Sequence, residues 1–225
     1  MNDLKQKIKA VIFDMDGTIL KTEHLWRQAT YDILQQYNVL NLTPEQQKVL
    51  AAVDGMELVV QARVLKENFN LPGTPEELAH LKITNAMRNF EHKVNFIDGF
   101  ESFQQKLVQN NIPHGIATNA HKGPFRVIAQ TMNLDKFFGP HLYCTDDVQN
   151  RSKPDPALFL FVAQKLGVKP EECLVFEDTV QGFQAAQAAG MKCIAIENDN
   201  NKDFLQYTNG SVKSYDQAEE LIKNL

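Results

Sequence analysis

Ile8-Lys9-Ala10-Val11-Ile12-Phe13, followed at once by Asp14-Met15-Asp16-Gly17, decides the architecture. A short β-branched run cut off by two acids and a glycine is the pattern of a buried parallel strand that ends in a turn. The pattern recurs along the chain. Ile112 to Ala117 ends at Thr118-Asn119, Cys173 to Phe176 at Glu177-Asp178, and Met191 to Ile196 at Glu197-Asn198-Asp199, while Leu142-Tyr143-Cys144 is a weaker run. Helical stretches separate these runs. Ala157 to Leu166 stops at Gly167 and Gly182 to Ala189 stops at Gly190, glycines placed for left-handed C-terminal caps. Such alternation predicts an α/β fold, a doubly wound, Rossmann-like parallel sheet. Polar residues gather just past the carboxyl ends of the strands, where open α/β sheets bind ligands.

One interval breaks the rhythm. Asp14 and Thr118 stand 104 residues apart, whereas a βαβ unit takes about 30. Much of the excess is helical. Leu25, Ala29, Ile33, Leu34 and Tyr37 mark an amphipathic face. Thr43-Pro44-Glu45-Gln46 and Thr74-Pro75-Glu76-Glu77 read as capping boxes with proline at the first helical position, and Gly55 and Pro72-Gly73 punctuate the segment. Residues 20–95 are therefore expected to form an inserted helical cap, with 1–19 and 96–225 forming the α/β core. Leaving and returning near the strand ends, the insert is placed to act as a lid.

Composition narrows the partners. The 225 residues carry 23 Lys+Arg against 28 Asp+Glu, a net charge of −5, which gives no support for nucleic-acid or anionic-membrane binding. The longest wholly apolar run, Ala157 to Ala163, is far short of the roughly 20 residues that span a bilayer. The N-terminus, Met1-Asn2-Asp3-Leu4-Lys5, opens polar, unlike a signal peptide. Cys144, Cys173 and Cys193 are odd in number and lack C-x-x-C spacing, so they read as buried reduced thiols. A cytoplasmic location and a monomer or weak dimer are expected.

The strand ends carry the chemistry. Asp14 and Asp16 lie two apart, and in extended backbone such residues project to one side. A calcium loop starting at Asp14 would need an oxygen ligand fifth, glycine sixth and glutamate twelfth; Thr18, Ile19 and Leu25 stand there, so that reading fails, and a surface turn or a site remains. Thr118-Asn119 before a helix is a generic anion site, although such residues also cap helices for stability alone. Lys153 sits in Ser152-Lys153-Pro154-Asp155-Pro156, where two prolines fix the backbone around it. Glu177 and Asp178 are adjacent carboxylates at the end of a buried strand, costly without a compensating cation; hard oxygen ligands of this kind suit Mg²⁺.

Asp14-Met15-Asp16-Gly17-Thr18, Thr118, Lys153-Pro154 and Glu177-Asp178-Thr179-Val180-Gln181-Gly182 together resemble, in order, the four motifs of the haloacid dehalogenase-like hydrolase superfamily. The resemblance covers essentially the whole chain and is closest to the group of sugar-phosphate phosphatases, pseudouridine-phosphate phosphatase and β-phosphoglucomutase. It implies that Asp14 attacks phosphorus to form an aspartyl-phosphate. Asp16 would protonate the leaving oxygen and then activate water. Mg²⁺ would be held by Asp14, Asp178 and the backbone carbonyl of Asp16, with Glu177 assisting directly or through water. Thr118 and Asn119 would bind phosphoryl oxygens, and Lys153 would neutralise nucleophile and phosphate. Similar dehalogenases and phosphonate hydrolases lack an aspartate at the position of Asp16, a proton shuttle that suits an oxygen leaving group, so the resemblance implies C–O–P chemistry over C–halogen or C–P cleavage.

Glu23, His24 and Trp26 follow the first motif and are candidates to line the hinge or pocket mouth, the alternative being that Trp26 packs inside the bundle and His24 is merely exposed. Lys21 stands where similar proteins commonly have aspartate. After Gly55 no cation appears until Arg63, whereas resembling mutases place cations in the cap to hold a second phosphate. The sequence thus favours a phosphatase of a small phosphorylated metabolite, with a phosphomutase, or a non-catalytic binding protein on this fold, as alternatives.

Overall fold

A computed structural model describes residues 8–53, 56 and 58–225; the polar N-terminus and Gly55 read above lie outside them. Six strands, β1 (Ala10–Phe13), β2 (His114–Thr118), β3 (Leu142–Cys144), β4 (Cys173–Glu177), β5 (Lys192–Ile196) and β6 (Ser211–Val212), form one parallel sheet in the order β3-β2-β1-β4-β5-β6. From β1 the chain builds outward through β2 and β3 on one side, then returns to place β4 against β1 on the other. That reversal opens a crevice at the carboxyl ends of β1 and β4. The β1–β4 register sets Phe13 opposite Phe176, so Asp14 emerges beside Glu177.

Both faces of the sheet are covered. On one, Phe13 meets Phe100, Phe103, Phe138, Phe176 and Tyr215 with ring centroids 5.5–6.3 Å apart. Such pairs add roughly 0.5–1.5 kcal/mol each beyond area burial. On the other, beyond α5 (Phe100–Gln109), α6 (Lys122–Thr131) and α7 (Leu134–Phe138) in the chain, α8 (Ala157–Leu166) and α9 (Val180–Ala188) pack Leu158, Phe159, Val162 and Phe183 against Ile12 and Val175. Gly167 and Gly190 cap their turns at φ +70° and +72°, the conformation their placement predicts. All three cysteines are buried and free.

The chain divides into two compact units, the α/β unit running through Lys21 and resuming at Val94, and a helical unit from Thr22 to Lys93. These limits fall slightly inside those read from the sequence. The reason is local: Lys21 N–H donates to the Asn95 carbonyl, and Leu20 forms an antiparallel bridge with Phe96, so both crossing segments belong to the α/β unit. The helical unit contains α1 (Glu23–Gln36), α2 (Pro44–Val53), α3 (Leu58–Phe69) and α4 (Pro75–Lys93). Ile33 and Leu34 join Leu50, Val53, Leu65, Phe69 and Leu78 in its core. Both capping boxes form: Thr43 and Gln46 exchange bonds of 3.0 and 3.2 Å, and Thr74 and Glu77 bonds of 2.8 and 3.2 Å. Among the described residues no helix is long and apolar enough to cross a membrane.

Candidate active site

Asp14 leaves β1 with its N–H still bonded to the Phe176 carbonyl, so the strand ladder itself fixes where its carboxylate begins. Lys153 reaches that carboxylate from a loop far along the chain. Its Nζ lies 2.5 Å from Asp14 Oδ1 and 2.7 Å from Glu177 Oε1, and 4.8 Å from the centroid of the Phe159 ring. An ammonium has three N–H donors; two carboxylates and an aromatic face occupy its surroundings, and its side chain is only 2% exposed. The loop is held from both ends. Asn119 Oδ1 accepts the Lys153 N–H at 2.9 Å, and Asp155 Oδ1 accepts the Ala157 N–H at 2.8 Å. The Lys153–Pro154 peptide is cis.

Glu177 spends both oxygens within the protein. Oε1 takes Lys153, while Oε2 accepts the N–H groups of Asp178 and Thr179 at 2.7 Å and the Thr179 hydroxyl at 3.0 Å. The carboxylate thus sits at the start of α9, where the helix dipole favours negative charge. Thr179 completes the cap by accepting the Gly182 N–H at 3.1 Å. Gly182 is required because a Cβ there would meet the Glu177 carboxyl carbon at 1.8 Å.

Asp178 faces the turn after β1. Thr18 Oγ1 donates to its Oδ1 at 3.0 Å, and the buried Tyr215 hydroxyl donates to the Thr18 carbonyl at 3.2 Å. Gly17 lies so close that a Cβ would be 2.2 Å from Asp178 Oδ2, and its φ is +75°, so two independent constraints demand glycine.

Electrostatics follow from this crowding. Burial, with the negative charges of Glu177 and Asp16, pushes the Asp14 carboxyl up to about 7 against the pull of Lys153. Burial alone would lower Lys153, but Asp14 and Glu177 raise it above the ordinary lysine value. Asp14 and Glu177 thus share the Lys153 ammonium, and Asp16 adds its negative charge at Asp14. Among the described residues no group of three or more His, Cys, Asp or Glu side chains is arranged to hold a metal ion. Mg²⁺ asks for less, one or two carboxylates together with waters and substrate phosphate. The chemistry of the donors suits it: Asp14, Asp178 and the Asp16 carbonyl offer hard oxygens that could hold the ion, and neighbouring negative charge already raises the Asp14 carboxyl.

The remaining sequence candidates divide. Thr118 is buried, its hydroxyl accepting the Ala120 N–H at 3.2 Å. Asn119 is exposed, and because its carbonyl oxygen faces Lys153 N–H, its NH₂ end points away as a donor. Glu23, His24 and Trp26 belong to the helical unit; the first two are exposed, and Trp26 packs edge-on against Phe90 at 5.8 Å. Lys21 pairs with Asp98 at 2.7 Å on the surface of the α/β unit. Sequence reading missed Asn198, Asn201 and Tyr215, which surround Asp178 and its turn. It also missed Lys82, a buried cation bonded to Gln61 in the helical unit. The polar run after β5 was the available signal for the two asparagines.

Residues 11–196 match the family model described as haloacid dehalogenase-like hydrolase. A probable pseudouridine-5'-phosphatase from Drosophila melanogaster is 32% identical over 203 residues, covering 87% of this chain and 84% of that protein. A fructose-1-phosphate phosphatase from Escherichia coli (strain K12) is 29% identical over 195 residues, covering 85% and 97%. A putative β-phosphoglucomutase from Thermotoga maritima superposes with a TM-score of 0.77 at 23% identity, covering 97% and 100% of the two chains.

Proposed function

We propose that this chain, which belongs to the haloacid dehalogenase-like hydrolases and is a phosphoric monoester hydrolase of that type, removes phosphate from a small phosphorylated metabolite through an aspartyl-phosphate on Asp14. The relatives that carry the reading are named for pseudouridine 5'-phosphate and fructose 1-phosphate. The single observation behind the mechanism is Lys153 bridging Asp14 and Glu177 across the ends of neighbouring strands.

An Asp14 oxygen attacks phosphorus while Asp16 gives its proton to the departing alkoxide; Asp16 then takes a proton from the water that hydrolyses the acyl phosphate. A carboxylate approaches a phosphate dianion only if the repulsion is offset, about 4 kcal/mol per charge pair at 4 Å and an effective dielectric of 20. Lys153 offsets it directly, and Glu177 acts through Lys153 by fixing its ammonium. The Thr118 hydroxyl and the Asn119 NH₂ donate to phosphoryl oxygens. Asp14, Asp178 and the Asp16 carbonyl would hold Mg²⁺, which supplies charge neutralisation at nucleophile and phosphate. The helical unit supplies substrate choice.

Purified protein with Mg²⁺ is expected to release phosphate from p-nitrophenyl phosphate, EDTA to stop the release, and Asp14→Asn to abolish it while leaving the fold intact. Undiminished turnover in Asp14→Asn would overturn the mechanism. Isomerisation of a sugar 1-phosphate without free phosphate, followed by phosphorus NMR, would replace the phosphatase with a phosphomutase.

A further inference from the structure

Asp178 is gripped from the far side by a loop that none of the motifs includes. After β5 the chain runs Glu197-Asn198-Asp199-Asn200-Asn201. The Asn198 NH₂ donates to Asp178 Oδ2 at 3.1 Å and to the Asp178 carbonyl at 3.2 Å. The amide orientation is set by its neighbours: Asn198 Oδ1 accepts the Asn200 N–H at 2.9 Å, so the nitrogen is the end that meets the carboxylate. Asn198 is in turn held by Asn201, whose Oδ1 accepts the Asn198 N–H at 3.1 Å. The NH₂ of Asn201, a residue 1% exposed, donates at 2.8 Å to the carbonyls of both Asp178 and Ile196.

Thr18 donates to Oδ1 and Asn198 to Oδ2, while Gly17 lies against the carboxylate. Rotation of the Asp178 side chain is therefore opposed on both oxygens. Each carboxylate oxygen has two acceptor sites, so the Thr18 and Asn198 bonds do not by themselves use up Oδ1 or Oδ2. Groups that hold a metal-ligating carboxylate in this way commonly alter metal affinity by about 10–100-fold when removed.

We infer that Asn198 is a positioning residue that presets Asp178 for the divalent cation, and that Asn201 fixes the loop that presents it. The inference rests on the metal-dependent reading above. Asn198 works by preorganisation: with its amide in place, the carboxylate needs no reorientation when the ion arrives.

The test is a Mn²⁺ titration of metal-free protein, without substrate, followed by electron paramagnetic resonance of the free ion. The parent protein, Asp178→Asn, Asn198→Ala and Asn198→Ser are compared, with melting in EDTA as the measure of folding. Binding by the parent and its loss in Asp178→Asn are expected, together with a dissociation constant weakened by about tenfold or more in both Asn198 variants. The Mg²⁺ needed for half-maximal p-nitrophenyl phosphate release should rise in parallel, and activity lost at limiting Mg²⁺ should return as Mg²⁺ is added. A parental dissociation constant in either folded Asn198 variant, with Asp178→Asn still defective, overturns this inference alone. Absence of binding by the parent overturns it together with the metal-dependent reading.

Discussion

In the helical unit, Thr43 bonds Gln46, Thr74 bonds Glu77 and Gln28 bonds Asp32, pairs three or four positions apart. In the α/β unit, the bonds that shape the crevice join Asp14 to Lys153, Thr18 to Asp178 and Tyr215 to Thr18, across 139, 160 and 197 positions. The first kind forms with its own helix, stays exposed and can be lost singly. The second forms only when the whole sheet is in register, and losing Lys153 from it strands buried charge. Lys82, bonded to Gln61 at a separation of 21, is an intermediate case in which a helical unit buries a cation between two of its own helices.

The largest effect that separates the two kinds is expected from Lys153→Met. It leaves Asp14 and Glu177 buried without their ammonium, and breaking a buried pair in this way costs about 3–5 kcal/mol. Urea unfolding should show a loss of that size, and a loss below about 1 kcal/mol would mean that the two kinds of bond do not differ in this way.

A second contrast lies in the thiols, all of which belong to the α/β unit. Burial pushes Cys144 up to about 11 and Cys173 to about 12, and raises Cys193 well above the ordinary value. In the folded chain they keep their protons above pH 9, where the unfolded chain releases them. Unfolding then discharges protons, so stability should fall as pH climbs from about 9 to 11. The decline should flatten when all three cysteines are replaced by alanine; an unchanged slope would assign it elsewhere. The smallest effect belongs to the exposed caps. Thr74→Ala should cost about 1 kcal/mol, read as faster hydrogen exchange in α4 and little change in the strands.

The same difference governs what could be read from the sequence. Local patterns announced themselves: both capping boxes, both C-terminal glycines, and the apolar runs of β1, β4 and β5. β2 was expected from Ile112 but begins at His114. Ile112 N–H closes the preceding turn on the Leu107 carbonyl, and Pro113, which has no N–H, only lends its carbonyl to Val11. β6 was not foreseen, since Ser211–Val212 is too short to show alternation. The crevice was legible only in part. Spacing put Asp14 and Asp16 on one turn, but that Lys153 and Asp178 converge on it came from the ordered set of motifs, because contacts across more than a hundred residues leave no periodic trace. Asn198 and Asn201 had no such help: asparagines after a strand read as an ordinary turn until a carboxylate is found beneath them.

The pairing of Lys21 with Asn95 and of Leu20 with Phe96 makes a doorway of two adjacent chain segments, stitched within the α/β unit itself. Whatever is threaded between them leaves and rejoins the α/β unit at one place. Such a doorway tolerates exchange of its contents: helices can be lengthened, trimmed or replaced there without disturbing the register that aligns Asp14 with Glu177. The framed segment can then change in length or sequence at a different rate from the strands that carry Asp14 and Glu177.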